Sequence, residues 1–261
     1  MERISFCSMN CRGLGDSKKR YDVFNFINQL NFDVYCLQDT HFTKSMEPRI
    51  RNEWEGDIIF NSYSSAARGV AVLFRKDFKY VLNDVFNDND GNLLGLHLTV
   101  GDVNMLLINL YGPNSDTPEF FDKILEKLEE NNSFNILCGD WNLVINPDFD
   151  YEHYLHINNA KARDKVLHIM NRLDLLDIWR CKNNLKKCFT WRKTNPNKQA
   201  RLDFYLISDE LSSYVKEVEI SPGYRTDHSL VSLVLQFPTL KFGRGYWKFN
   251  NSLLKDALFI Y

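Results

Sequence analysis

Twelve short apolar runs punctuate this chain, at 2–9, 33–38, 57–61, 69–75, 79–86, 93–100, 103–110, 134–139, 188–193, 202–207, 216–220 and 229–236. Each has the length of a strand rather than a helix, so the rhythm predicts a protein dominated by β-structure. VGDV at 100–103 predicts a tight hairpin turn, because Gly101 supplies the positive φ that such turns demand. Helical spacing is confined to 17–30, 118–130 and 160–174. Asp16 and Ser17 cap the first of these, and a proline opens the second. Many strands with few intervening helices predict an α/β (α+β) fold in which two sheets pack face to face under helices.

With 261 residues, 44% apolar and 25% charged, the chain can bury a core of that size. No repeat or low-complexity linker interrupts it before about residue 238, which predicts one domain over 1–238. The tail 239–261, containing KFGRGYWKFNNSLLKDALFIY, reads as a basic connector and the start of an apolar helix, as in a piece of a longer polypeptide. No apolar run approaches the ~18 residues of a membrane-spanning helix, and MERISFCSMN lacks the layout of a signal peptide. Six cysteines without a CxxC pair predict reduced thiols in an intracellular compartment.

The strand ends carry the chemistry. Asn10 follows 2–9, Asp39 follows 33–38, Tyr111 and Asn114 follow 103–110, and Asp140 and Asn142 follow 134–139. Asp203 opens 202–207, and Asp227 and His228 precede the last strand. Polar groups gathered at one rim of a sheet core are a common way to build an active site. Carboxylates and amides in this proportion suit a hard divalent cation, Mg2+ or Mn2+, rather than zinc. A histidine beside an aspartate adds an oriented imidazole, so the set predicts metal-assisted phosphodiester hydrolysis. Taken singly, each residue has a blander reading. A strand-end aspartate is often a turn or cap residue, Asn114 fits a turn, Tyr111 fits packing, and a lone histidine fits a polar surface. Only the conjunction selects a site.

A net charge of −2 argues against a uniformly basic nucleic-acid binder, but the distribution is uneven. Between Trp179 and Leu202 stand eight cations and no acid: Arg180, Lys182, Lys186, Lys187, Arg192, Lys193, Lys198 and Arg201. Such a run is often plain solvated surface. With Phe189 and Trp191 interleaved and TNPNKQ following, it reads instead as a phosphate-facing hairpin.

In order, Asn10, LQDTH, LYGPN, GDWN, RLDF and TDHSLV resemble the exonuclease–endonuclease–phosphatase superfamily, over residues 4 to about 237. The resemblance implies a four-layered sandwich of two mixed β-sheets flanked by helices, deoxyribonuclease I-like, with a divalent metal and cleavage of phosphoester bonds. Within that group ARGVAVLF at 67–74, LYGPN and GYWKFNNSLL resemble the apurinic-type endonuclease domain of LINE (non-LTR) retrotransposon polyproteins. That likeness implies a nuclear enzyme, continuous with a reverse transcriptase, which nicks one strand of double-stranded DNA and leaves a 3′-hydroxyl for priming.

Carried over position by position, the resemblance makes Asp39 a metal ligand with Asn10 beside it and Asp227 completing the metal or water shell. Gln38 and Thr40 would support Asp39. Asp140 would orient or deprotonate the attacking water, helped by Asn142, and His228, held by Asp203, would meet the scissile phosphate. Tyr111 and Asn114 would hold phosphate oxygens, with Thr190, Arg192, Lys193 and Arg201 on the DNA side. Preference for easily kinked pyrimidine–purine steps is expected. Two positions depart from the pattern: Asp39 stands where the family usually has Glu, and Arg12 where repair-type apurinic endonucleases carry an acid. The alternatives are an apurinic-site repair enzyme, a phosphoinositide or sphingomyelin phosphodiesterase of the same fold, and a silent DNA-binding module.

Overall fold

The computed structural model describes residues 2–153 and 159–238, so the expected connector at 239–261 lies outside the described residues. Two six-stranded sheets form its centre. The first runs β14 (Val215–Ser221), β15 (Leu230–Phe237), β1 (Glu2–Asn10), β2 (Val34–Gln38), β4 (Val70–Phe74), β3 (Ile58–Asn61). The second runs β10 (Leu175–Asp177), β13 (Asp203–Ser208), β8 (Phe134–Asp140), β7 (Val103–Tyr111), β6 (Leu93–Val100), β5 (Val81–Asn87). Each contains one parallel pair, β1–β2 and β7–β8, and each pair is bridged by a helix: α1 (Ser17–Leu30) and α3 (Glu119–Glu129). A small third sheet joins β11 (Trp191–Thr194), β12 (Asn197–Ala200) and β9 (Tyr151–Glu152).

Strand alternation explains the layers. On β1, Ile4 and Phe6 face the opposing sheet, while Cys7 and Met9 face the helices. Val34, Cys36, Val72 and Phe74 meet Leu94, Leu96, Leu107 and Ile136 between the sheets. Val23, Phe24 and Ile27 of α1, with Ile50 of α2 (Glu47–Glu53), cover the outer face of the first sheet. Phe121, Ile124 and Leu128 of α3, with Val166 and Ile169 of α4 (Ala160–Arg172), cover that of the second. Strands buried on both faces read as unbroken apolar runs, which is why the sequence marks them so plainly. The result is the expected four-layered sandwich of two mixed sheets. Asp16 caps α1 by accepting from the Lys19 amide at 2.7 Å, and Gly101 makes the β6–β7 turn at φ +57°.

Gln38 is not a support for Asp39. Its amide crosses the core to Asn109 Oδ1 at 2.7 Å and bonds Ser8 Oγ on the neighbouring strand β1 at 3.0 Å, and Asn109 in turn donates to the carbonyls of Leu37 and Ala71. This buried polar link pins one sheet to the other just beneath the rim. The strand expected at 188–193 starts at Trp191, because Thr190 is drawn aside by the amides of Leu202 and Asp203. The pieces α2, α5 (Ile178–Lys182), β9 and β10 were outside the expectation, being too short to show a period. All six cysteines are free thiols, and among the described residues no helix is long and apolar enough to cross a membrane.

Candidate active site

Both sheets deliver their polar ends to one rim. β1 ends on Asn10, β7 on Tyr111 and β8 on Asp140, while β13 begins on Asp203 directly opposite Asp140 in the antiparallel register. Asp39 follows β2 at once, and His228 stands just ahead of β15. Asn10, Asp39, Tyr111, Asn114, Asp140, Asn142, Asp227 and His228 line one cleft of about 360 Å³, with Asp203 behind His228.

GDWN begins with glycine for a steric reason. Gly139 has φ +144°, and a Cβ there would lie 1.9 Å from the Leu110 carbonyl oxygen on the neighbouring parallel strand. Gly139→Ala is expected to cost about 3 kcal/mol or more, from backbone strain plus overlap. A urea midpoint unchanged from the parent would contradict this.

A line of polar contacts runs across the cleft. Asp203 Oδ2 accepts from His228 Nδ1 at 2.9 Å, His228 Nε2 faces Asp140 Oδ2 at 3.8 Å, and that same oxygen accepts from Asn10 Nδ2 at 2.8 Å. The Asn142 amide N–H holds the other Asp140 oxygen at 3.0 Å, from a left-handed backbone at φ +51°. Burial, then the nearby Asp203 carboxylate, raise the Asp140 pKa from 3.8 to about 7 against the pull of His228. Burial opposes the charged form of His228, but Asp203, Asp140 and Asp227 outweigh it and raise the imidazole from 6.5 to about 9. That direction favours the imidazolium at neutral pH, with Nδ1 donating to Asp203 and Nε2 turned toward Asp140. Tyr111 is pushed upward by burial and by Asp39 and Asp140, so it stays a neutral phenol, with Asn114 and Asn142 bonded to it.

Asp140, Asp203 and His228 bring their polar atoms within 4.8 Å of one another, and the two carboxylates can take a divalent cation while the charged imidazole, with no free lone pair, cannot. Asp203 Oδ1 is buried with no partner, and Asp140 is raised: two signs that the carboxylates carry more negative charge than their neighbours offset. A hard cation fits that donor set. The other two expected metal residues lie in the same cleft as Asp39, where Asn10 bonds Asp140 and Asp227 faces Arg12 Nη1 at 3.3 Å. Asp39 has φ +49°, and its Oδ1 accepts from the Arg68 amide and meets His41 Nε2, both at 3.0 Å. His41, not Gln38 or Thr40, is thus the side chain that orients Asp39. It stands two residues away in the same polar string.

Two expected DNA contacts are corrected. Arg201 is wholly buried. Its guanidinium bonds both oxygens of Asp150 at 2.8 Å, and it pairs with Asp177 while lying against Trp179 and Phe204. Thr190 is buried too, its hydroxyl accepting from the amides of Leu202 and Asp203. Both hold the base of the β11–β12 hairpin and face no solvent. Arg192 and Lys193 are exposed on that hairpin. The hairpin base is bonded to the histidine segment: the Arg192 amide donates to Asp227 O at 3.3 Å and the Ser229 amide to Thr190 O at 2.6 Å. Tyr151 and Asn159 also line the cleft, though nothing in their sequence surroundings marks them.

A model of the Endonuclease/Exonuclease/phosphatase family matches residues 7–228. The 149 kDa protein of transposon TX1 from Xenopus laevis is 29% identical over 98% of this chain, which spans only 20% of that relative. An exodeoxyribonuclease of Bacillus subtilis is 22% identical, covering 89% of this chain and 99% of that protein. In fold, the chain is similar to an AP endonuclease from Leishmania major, with a TM-score of 0.78 at 18% identity over 90% of this chain and 88% of that one. The catalytic domain of Xenopus laevis APE2 gives a TM-score of 0.74 at 18% identity, over 91% and 94% of the two chains.

Proposed function

Because the chain belongs to the Endonuclease/Exonuclease/phosphatase family, we propose that it is a divalent-metal-dependent endonuclease that nicks one strand of duplex DNA and leaves a 3′-hydroxyl to prime reverse transcription. The observation that carries the chemistry is the polar line Asp203–His228–Asp140–Asn10 across the cleft floor. An acid near pKa 7 beside an imidazolium near 9 gives a base and a cation together at neutral pH. Asp140, with Asn142, would take the proton of the attacking water. His228, held by Asp203, would meet the charge growing on the phosphate. Tyr111 and Asn114 would grip its remaining oxygens.

Asp39, with Asn10 and Asp227 in the same cleft, would hold Mg2+ or Mn2+, which when bound would polarise a phosphoryl oxygen and steady the leaving oxyanion. The retroelement part of the reading is supported by the transposon TX1 relative, which is about five times as long and leaves room for a following reverse transcriptase. Residues 1–238 would then be the nuclease, acting in the nucleus. The exposed Arg192 and Lys193 on the hairpin would lie along the duplex backbone.

The test is nicking of supercoiled plasmid in Mg2+, Mn2+ or EDTA, with end-labelled products and an abasic duplex beside an intact one. Metal-dependent nicks ending in a 3′-hydroxyl are expected, with His228→Ala slower by about 10²–10³-fold. No cutting in either metal sinks the reading. Strong preference for the abasic duplex would favour a repair enzyme, the second reading.

A further inference from the structure

Four carboxylates, Asp39, Asp140, Asp203 and Asp227, crowd a cleft whose proposed substrate is itself an anion. Among the residues lining that cleft, Arg12 is the single arginine or lysine. Its backbone sits at φ +48°, a region that residues with a Cβ populate sparsely. Four hydrogen bonds keep it there. Asn10 Oδ1 accepts from the Arg12 amide at 2.8 Å, Lys19 Nζ donates to the carbonyls of Cys11 and Arg12, each at 2.8 Å, and the Gly13 amide donates to Asp39 O at 2.7 Å.

The side chain is treated in the opposite way. It is 68% exposed, and it pairs only at 3.3 Å with Asp227, itself 29% exposed. Exposed pairs of this kind are weak and easily exchanged. A braced, strained backbone carrying a loosely held cation is poor construction for a stabilising ion pair. It is sound construction for presenting a group to a ligand.

We infer that Arg12 is a phosphate-binding arm, parked on Asp227 in the free protein and passed to the DNA phosphate that enters over Asn10 and Asp140. The inference rests on the phosphodiester reading above and names a further contact for that substrate. A guanidinium offers two parallel N–H groups that match two phosphate oxygens, which a lysine ammonium does not. Trading a carboxylate for a phosphate leaves the charge on Arg12 compensated throughout. Lys19 is then a positioning residue, acting through the carbonyl of Arg12.

The test is a DNA-binding titration of a short duplex in EDTA at several salt concentrations, for the parent, Arg12→Lys and Arg12→Asn. Asparagine tolerates the left-handed backbone, and thermal melts confirm that each variant is folded. Arg12→Asn is expected to weaken binding about ten- to a hundredfold and to flatten the slope of log affinity against log salt by about 0.9, one phosphate contact. Arg12→Lys keeps the slope but recovers only part of the affinity. In the nicking assay the loss falls mainly on KM, as for a contact present in the ground state. A folded Arg12→Asn with the parent's slope and affinity would overturn the inference while leaving the nuclease reading intact. A parent that neither binds nor cuts DNA would overturn both.

Discussion

Asp140→Asn is expected to slow strand cleavage by about 10²–10⁴-fold, the usual range for a lost general base, while stabilising the metal-free protein above neutral pH. The sign follows from the direction of the shift. Asp140 has its folded pKa raised from 3.8 to about 7, so its protonated form is the one the fold favours. The stability this gives is fully present below pH 3.8 and is lost as pH climbs through 7. His228 is raised from 6.5 to about 9, and its contribution is likewise lost as pH rises from 6.5 through 9. Thermal melts in EDTA should therefore show the parent weakening from pH 4 to 9. The Asn variant should melt higher at pH 8, with the gap closing toward pH 4. A parent that outlasts the variant at pH 8 would show that the acid pair is not a burden to the fold. Active sites commonly trade stability for chemistry in this way.

Arg201→Ala should lower stability by about 3–5 kcal/mol, the usual range when one partner is removed from a buried ion pair. Asp150 and Asp177 would be left in the core, with Arg180 beside Asp150 as the remaining cation. Arg201→Lys keeps the charge but not the fork that spans both acids, so it should fall between the two. Urea unfolding gives the magnitude, and a loss under 1 kcal/mol would contradict the account. DNA binding provides a separate check. A folded Arg201→Lys should keep the parent's salt slope, because this side chain meets no phosphate.

The same residue shows where the sequence stops being readable. Within TWRKTNPNKQAR the arginine is one cation among several, and the two acids that bury it lie 51 and 24 residues away. No local pattern carries that distance. Thr190 is opaque for the same reason, since its partners are the backbone amides of Leu202 and Asp203, beyond the whole hairpin. What could be read was whatever repeats or terminates locally. Strands buried on both faces appear as apolar runs, and their ends as abrupt polar residues, so Asn10, Asp140, Asp203 and His228 are visible in the sequence alone. Asp39 was legible as a strand-end acid, but its support was not. Gln38 alternates inward to Asn109, while His41 folds back to the carboxylate through left-handed turns at both 39 and 41. Period-two reasoning on a strand gives no warning of a chain that doubles back just beyond it.

The seam between the β11–β12 hairpin and the segment 227–229 limits how this protein can vary. Trp191 bridges His228 in the backbone register, and the amides of Arg192 and Ser229 close the seam on either side. Whatever the hairpin touches, its root and the imidazole share one set of backbone bonds. A graft that altered residues 190–192 would move the histidine as well, whereas 193–199 hang beyond the seam. Retargeting by exchange of hairpins should therefore succeed when only the distal loop is swapped, and should fail kinetically when the splice reaches the root.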